Sequence, residues 1–257
     1  MRIKIRWIIC ILLILALSTC KKDDQHQILG PGIFLSTDLP AHTWFDLREY
    51  LLSRNAKITF YTQSYQFLDS ASKAKIKIMM QDGHEMAHHT SHHIHGDEYM
   101  RSHSISDYMH NEIYNMDSAL EADGIFTENF AYPYGDFTQE TDRALLQRFK
   151  SIRKIISPYA NKKLADVDQI YYRFKGVRIL YGCTVDSKMN FNVKEILEAL
   201  DKAKSSRQTI SLYCHFVNRG QAELNNQLAI NYNDFIAIIE HANKLRLKFY
   251  TAKEISR

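Results

Sequence analysis

The sequence predicts an α/β fold in a single domain, built either as a barrel or as an open sheet. From about residue 32 to the C-terminus, short apolar runs typical of buried strands alternate with segments whose apolar residues have helical spacing. Of the 257 residues, 45% are hydrophobic, which is enough for one large core, and we find no internal repeat. This alternation indicates parallel strands with the helices outside the sheet.

The predicted elements follow one another in a regular order. An apolar run at 33–36 predicts the first strand, residues 44–54 have helical spacing, and the β-rich segment 57–62 completes a β-α-β unit. The remaining predicted helices are 69–82, 106–122, 139–149, 193–204 and 233–245, and the remaining predicted strands are 84–87, 127–131, 152–156, 209–215 and 248–251.

The N-terminus predicts a bacterial lipoprotein signal peptide. Arg2, Lys4 and Arg6 precede an apolar stretch that is too short to span a bilayer stably, and small residues stand directly before Cys20. An uncleaved anchor and ordinary secretion with an incidental cysteine are the alternatives. The charged run after Cys20 resembles the tether of surface-exported Bacteroidetes lipoproteins. This resemblance indicates attachment to the outer membrane and leaves open whether the protein is exposed on the cell surface.

These features divide the chain into three segments. We expect residues 1–19 to be the signal peptide, residues 20–31 to be the lipidated cysteine and a polar tether, and residues 32–257 to be the folded domain. Cys183 and Cys214 then remain as the one pair that could form a disulfide, and the sequence leaves their redox state open.

The charge of the folded body does not indicate nucleic acid as a partner. Three of the 33 basic residues lie in the predicted signal, so the body carries one positive charge over its 29 acidic residues. The charges are interspersed, and no basic stripe with interleaved aromatic residues is present. We expect a monomer whose membrane contact is the lipid on Cys20.

Six of the twelve histidines lie between His84 and His95. Neutral imidazole is the commonest protein ligand of zinc, and two histidines four residues apart on a helical turn can direct their nitrogens at one point. A solvated histidine-rich loop, or core histidines held by hydrogen bonds, is the alternative. The pairs with this spacing are His84 with His88, His88 with His92, and His89 with His93.

Reactive residues follow four of the predicted strands. They are Asp38, the histidine run, the turn at 132–135, and His215. Because the loops at the carboxyl ends of parallel strands converge, these four places predict one active site.

The motifs resemble those of polysaccharide deacetylases of carbohydrate esterase family 4, which contain the NodB homology domain. The segments 82–93, 130–135 and 211–215 are similar to the second, third and fifth motifs of that family, and the resemblance runs over about residues 32–254. It implies a distorted (β/α) barrel and a divalent metal, zinc above others, held in part by His89 and His93. It also implies that the Tyr134 backbone N–H contacts the oxyanion and that His215 is the general acid.

The first motif departs from the family, whose members usually carry two consecutive aspartates, a catalytic base and then a metal ligand. Here the sequence is Ser36-Thr37-Asp38-Leu39. One register places Asp38 on the ligand and Thr37 on the base, whereas the other makes Asp38 the base and leaves Leu39 where a ligand is required. We prefer the first, because two histidines and one carboxylate form a recognised metal triad.

The first register leaves the chain without the usual base. General-base assistance is typically worth about 10²–10⁴-fold in rate, and a threonine hydroxyl can position a water but cannot take its proton. Asp46, Glu85 and His42 are the other candidates for a base. Ala131 stands where many relatives have an arginine that orients the base.

Three functions therefore stay open. The first is a metal-dependent hydrolase that removes N- or O-linked acetyl groups from an acetylated polysaccharide or oligosaccharide. The second, favoured by Thr37, is a catalytically impaired homologue that binds glycan at the cell surface. The third is a metal scavenger, which the motifs at Tyr132 and His215 disfavour. We predict that His84 and Glu85 are structural, and that the surplus histidines are solvated neighbours of the site: His88, His92 and His95.

Overall fold

The computed structural model describes residues 27–156, 162–189, 192–220 and 228–257. The predicted signal peptide, Cys20 and most of the predicted tether lie outside the described residues. The strands are β1 Gly32–Thr37, β2 Thr59–Thr62, β3 Glu85–His88, β4 Asn129–Ala131, β5 Ser151–Ile155, β6 Tyr171–Tyr172, β7 Ile179–Thr184, β8 Thr209–Cys214, β9 Phe216–Asn218, β10 Ala229–Asn231 and β11 Lys248–Tyr250.

Helices connect most of the successive strands. The α-helices are α1 Arg48–Ser53, α2 Ser70–Gln81, α3 Gly96–Tyr99, α4 Ile105–Tyr108, α5 Asn115–Ala122, α6 Gln139–Arg148, α7 Val193–Ser205, α8 Tyr232–Lys244 and α9 Ala252–Ile255. A 3₁₀ helix, Ala41–Leu47, leads into α1, and a π-helical turn, Met109–Tyr114, joins α4 to α5.

Seven parallel strands close into a barrel, as the family resemblance implies, and the open-sheet alternative is wrong. The order is β1, β2, β3, β4, β5, β7 and β8, and β8 returns to β1 in a register that runs from Gly32 opposite Thr209 to Thr37 opposite Cys214. Outside this ring, β11 pairs with β1, and β6 runs antiparallel to β8.

Strand alternation separates the interior of the barrel from the core under the helices. On β1, Phe34 belongs to an inner cluster, whereas Ile33 and Leu35 belong to the large cluster shared with the helices. The inner cluster includes Tyr61, Ala87, Ala131 and Leu180, one from each of four further strands. The interior of the barrel is therefore lined by this smaller apolar cluster.

The amino end of the barrel is closed by a polar network around Glu85. This partly buried carboxylate accepts hydrogen bonds from Asn129 Nδ2, Thr59 Oγ1 and the backbone N–H of Lys253, at the start of α9. Glu85 is the first residue of β3, so about 13 Å of strand and loop separate it from His89, at 3.3 Å per residue. Glu85 is therefore structural and lies at the wrong end of the barrel to serve as a base.

Several elements differ from the sequence prediction: the strands β6, β7, β9 and β10 were not predicted, and one predicted helix is split. The strand β7 was not predicted, because the run Ile179–Thr184 shows neither clear alternation nor a continuous apolar stretch and contains Gly182. The predicted helix 44–54 is split, since a 3₁₀ helix that begins after Pro40 occupies its first part. A Cβ at Gly182 would lie 3.2 Å from the Tyr213 ring and 3.3 Å from the Arg153 side chain, so glycine makes room there.

Cys183 and Cys214 are free thiols on neighbouring strands, buried in the core outside the barrel. Burial raises the pKa of Cys183 to about 12 and that of Cys214 well above its usual value, which keeps both thiols protonated and unreactive. Among the described residues, no helix is both long enough and apolar enough to cross a membrane.

Candidate active site

The carboxylate of Asp38 lies at the carboxyl end of the barrel, directly after β1, and is 4% exposed. Arg153 Nη2, from β5, donates to both of its oxygens, at 2.5 Å to Oδ1 and 2.6 Å to Oδ2. Burial opposes ionisation of this carboxyl, but the guanidinium of Arg153, with smaller contributions from His89 and His215, outweighs it and holds the pKa of Asp38 below its usual value. Asp38 is therefore ionised and forms an ion pair with the buried guanidinium of Arg153.

His89 presents a free ring nitrogen to Asp38. Its Nδ1 lies 2.8 Å from the carbonyl oxygen of Ala131, which can only accept, so Nδ1 carries the hydrogen and Nε2 the lone pair. Nε2 is buried without a hydrogen-bond partner, and it lies 3.9 Å from Asp38 Oδ2. Burial lowers the pKa of His89 to about 3, so the ring is neutral.

His93 follows four residues later, on a loop that requires unusual backbone geometry. Both Thr90 and His93 adopt left-handed conformations, with φ of 71° and 55°. The His93 ring centroid lies 4.9 Å from that of His89 and 4.6 Å from that of Tyr134. Tyr134 is itself left-handed, half exposed, and stacked on His95 at 3.7 Å, so it forms one wall of the site.

His215 approaches from the opposite side, at the end of β8, and is held by Asp186. Its Nδ1 lies 2.6 Å from Asp186 Oδ2, and its backbone N–H donates to Asp186 Oδ1 at 3.1 Å. Thr184 Oγ1 also donates to Oδ2, which fixes the buried carboxylate. This arrangement leaves Nε2 of His215 as the ring atom available for proton transfer.

These groups belong to one site. The pKa of His93, which burial lowers, also responds to the charges of Asp38 and His215, as that of Asp38 does to His89 and His215. The structure thus brings the sequence-predicted Asp38, His89, His93 and His215 together at the carboxyl end of the barrel.

The hydroxyl of Thr37 points away from this cluster of charges. It donates to the carbonyl oxygen of His215 at 3.0 Å, and the same oxygen accepts from the indole N–H of Trp44, a residue of the outer core. Alternation along β1 explains this, because neighbouring residues project to opposite sides of a strand. The Thr37 hydroxyl joins β1 to the end of β8.

The remaining candidates for a base are not beside Asp38. The pKa of His42, which burial lowers, is influenced by Asp69 and Lys75, residues of the α2 region, and by none of the site residues above. Asp46 is exposed and lines a cavity of about 630 Å³ next to Phe216, outside the barrel. No acidic residue of the described ranges is observed to replace the missing aspartate.

A family model described as polysaccharide deacetylase matches residues 37–149, a range that includes Thr37, Asp38, the histidine run and the turn at Tyr134. Residues 37–149 therefore match the polysaccharide deacetylase family. No curated protein matches the chain in sequence.

Solved structures of low identity share the fold of this chain. The chitin deacetylase of Colletotrichum lindemuthianum superposes with a TM-score of 0.58 at 14% identity, over 89% of each chain. A family 4 carbohydrate esterase of Streptococcus mutans gives 0.56 at 16% identity, over 88% of this chain and 86% of the other. A family 4 pseudoenzyme of Bacillus anthracis gives 0.55 at 12% identity, over 89% of this chain and 66% of the other.

The surplus histidines around the site are not uniformly solvated. His88, predicted to be solvated, is fully buried, accepts from the Thr90 backbone N–H on Nδ1 and donates from Nε2 to the Ile113 carbonyl. His92 and His95 are exposed, as expected, and each pairs with a carboxylate, Glu112 and Asp136 respectively. The prediction for His88 is wrong because this residue belongs to β3 and points into a core rather than into a loop.

The donors at the centre of the site fit a divalent ion. The free Nε2 of His89 is an orphaned buried atom of the type that zinc prefers, and it faces a carboxylate. Ligands about 2.1 Å from a tetrahedral zinc ion lie roughly 3.4 Å apart, so the 3.9 Å between His89 and Asp38 requires only a small adjustment.

The tightest set of possible ligands lies at the rim instead. Among the described residues, the set of three whose ligand atoms all lie within 4.8 Å of one another is His95, Asp97 and Asp136, beside Tyr134. His95 Nδ1 already lies 2.5 Å from Asp136 Oδ2 there. We therefore regard the rim set as a surface hydrogen-bonded group.

Two residues of the site were missed at the sequence level. Asp186 stands two residues beyond the unpredicted strand β7, so it was not recognised as a strand-end residue. Arg153 lies within a predicted strand, and a basic residue inside a strand is the one signal that could have singled it out.

Proposed function

We propose that the protein is a metal-dependent hydrolase that removes acetyl groups from an acetylated polysaccharide or oligosaccharide, with zinc as the ion that its donors suit best. The observation that supports this most directly is the His215–Asp186 pair, with Nδ1 2.6 Å from Oδ2, facing the same site as Asp38 and His89. A protein that only stores metal has no use for an oriented imidazole without a ligand role.

In this proposal Asp38, His89 and His93 hold the ion. A bound divalent ion polarises the acetyl carbonyl and makes the attacking water more acidic. Asp186 keeps Nδ1–H of His215 in place and stabilises the imidazolium, so that Nε2, protonated before the attack, gives its proton to the leaving nitrogen or oxygen, while the proton lost by the attacking water passes to solvent. The backbone N–H of Tyr134 donates to the oxyanion.

The glycan-binding alternative rests on Thr37. Its hydroxyl is committed to the His215 carbonyl and cannot take a proton from water, so the chain has no base at that position. The fold alone does not decide between the two functions, since one of its structural neighbours is described as a pseudoenzyme.

Acetate release decides between them. Zinc-loaded protein is assayed on acetylated chito-oligosaccharide, xylan and peptidoglycan fragments, beside T37D, H89A and H215A, with H103A, which removes an exposed histidine outside the site, as the control. The hydrolase proposal expects release by the natural protein and by H103A, and at least a 10²-fold loss in H89A and H215A. Release by T37D alone would instead establish the impaired homologue.

We also propose, from the N-terminal sequence, that lipid on Cys20 anchors the protein in the cell envelope, at the outer membrane. Expression with radiolabelled palmitate should label the natural chain but not C20A. Labelling of both chains, or of neither, would contradict the anchor.

A further inference from the structure

The guanidinium of Arg153 is fully buried inside the barrel, where it meets the one carboxylate of the predicted metal centre. Nη2 donates to both oxygens of Asp38, whereas Nε and Nη1 have no hydrogen-bond partner among the residues that the structure describes. Arginine is almost never fully buried unless it is paired, so Asp38 is what holds this charge in the interior.

The surroundings of Arg153 are shaped to accept it. The guanidinium carbon lies 4.4 Å from the ring centroid of Tyr213 and 5.1 Å from that of Tyr61, so two aromatic rings contact the cation. Its side chain passes over Gly182, where a Cβ would approach to 3.3 Å. Three strands thus contribute to the place of this one side chain.

The position of Arg153 in the sheet is also informative. It is directly opposite Ala131 in the register of β4 and β5. Ala131, on β4, supplies the carbonyl that fixes the tautomer of His89, so the arginine from β5 and the imidazole that follows β3 reach Asp38 from the two strands that flank β4. The guanidinium and the free Nε2 of His89 therefore converge on the same carboxylate oxygen, Oδ2.

This geometry creates a competition between two cations. Without an ion, the charges of Asp38 and Arg153 cancel, and His89 and His93 are neutral. A divalent ion bound to Asp38 would bring two uncompensated positive charges into a buried site and would take carboxylate lone pairs that now accept from Arg153.

We propose that Arg153 sets the metal affinity of this site by acting as an internal counter-cation that shares Asp38 with the divalent ion and weakens its binding. The proposal rests on the metal centre of the proposed function, but not on whether that centre catalyses hydrolysis. Because Asp38 is shared, the site binds zinc weakly, the bound ion exchanges readily, and zinc occupies the site only at a high free concentration.

Metal titration of the isolated protein tests this without any substrate. Co²⁺ is titrated by visible absorption and Zn²⁺ by calorimetry, into the natural protein, R153Q, R153K and R148Q. We expect R153Q to bind either ion at least about tenfold more tightly, because a like charge near the ion is gone, and R153K to stay close to the natural protein. R148Q is the matched control, since Arg148 makes a comparable two-point pair with Asp117 outside the site.

Thermal unfolding provides a second measurement if R153Q folds poorly without metal. Removal of Arg153 leaves Asp38 buried without a partner, so the metal-free variant should melt at a lower temperature, and saturating Zn²⁺ should raise its Tm more than that of the natural protein. Equal or weaker ion binding by R153Q overturns the role of Arg153 while leaving the metal centre intact. Absence of binding in both proteins, with retained fold, overturns the metal centre and with it the proposed function.

Discussion

At the scale of single residues, the site depends on hydrogen-bond acceptors that fix the orientation of its two functional imidazoles. His89 owes its free Nε2 to the carbonyl of Ala131, and His215 owes its orientation to Asp186. In both cases the acceptor bonded to Nδ1–H leaves Nε2 as the nitrogen that faces the site. Proteins commonly fix the tautomer and orientation of histidine in this way.

We expect D186N to lower kcat for acetate release by about 10²–10⁴-fold, with little change in KM. The amide of asparagine is neutral and cannot stabilise the imidazolium, although it fills the same space. Kinetics on acetylated oligosaccharide measure the effect. D201N is the control, because Asp201 pairs with His241 on the surface at a similar distance, and a comparable loss in both variants would refute the assigned role.

The sequence predicted the residues that carry recognisable motifs, and it failed for residues defined only by their partners. Asp38, His89 and His215 follow strands, and position alone placed them at one end of the barrel. Nothing in the sequence around Arg153 specifies that its guanidinium meets Asp38, 115 residues away in the chain. Such a pairing follows from barrel closure, which sequence periodicity does not determine.

At the scale of elements, the π-helical turn at Met109–Tyr114 supports the histidine loop. It carries the buried Glu112, whose Oε2 accepts from the His92 backbone N–H at 3.0 Å and whose Oε1 lies 2.7 Å from His92 Nδ1. The Glu112 carbonyl also accepts from Ser91 N–H. These bonds hold a loop in which Thr90 and His93 are both left-handed, and such conformations persist only where the surroundings enforce them.

We expect E112Q to reduce the free energy of unfolding by about 1–3 kcal/mol, because an amide cannot accept both bonds. The relaxed loop should also move His93, so zinc affinity should fall together with stability. Denaturant unfolding and zinc titration measure the two effects. E121Q, on the exposed side of the adjoining helix α5, serves as the control and should change neither quantity.

The π-helical turn was not foreseeable, because residues 106–122 keep helical spacing throughout and one extra residue in a turn leaves no clear signal. The predicted helix is nevertheless present as three consecutive segments from Ile105 to Ala122. Strand β7 was missed because Gly182 interrupts its alternation of side chains. The interior of the barrel leaves no room for a side chain at that position.

At the scale of the whole molecule, buried neutral histidines make stability depend on pH. His84 accepts from the Ile58 backbone N–H on Nδ1, and His88 accepts from that of Thr90. Burial lowers the pKa of His84 to about 4 and that of His88 to about 3, against an ordinary value of 6.5. Protonation of either ring would break its bond to the backbone and place a charge in the core.

The sign of the effect follows from these shifts. Below pH 6.5 the unfolded chain takes up protons on both histidines that the folded chain excludes, so folding loses stability as the pH falls from 6.5 towards 4. Glu85, whose pKa burial raises above 4.5, offsets a part of this near the acid end. The loss should be on the order of several kcal/mol by pH 4.

We therefore expect the Tm of the metal-free protein to fall steadily between pH 6.5 and pH 4, and to fall less steeply in H88Q. Glutamine keeps a donor for the Ile113 carbonyl but takes up no proton on unfolding, so the variant should lose stability at pH 7 and yet approach the natural protein at pH 4. Calorimetric scans in chelator-treated buffers measure the two slopes. H103Q, which replaces an exposed histidine, should keep the natural slope, and an unchanged slope in H88Q would show that His88 is not what couples folding to pH.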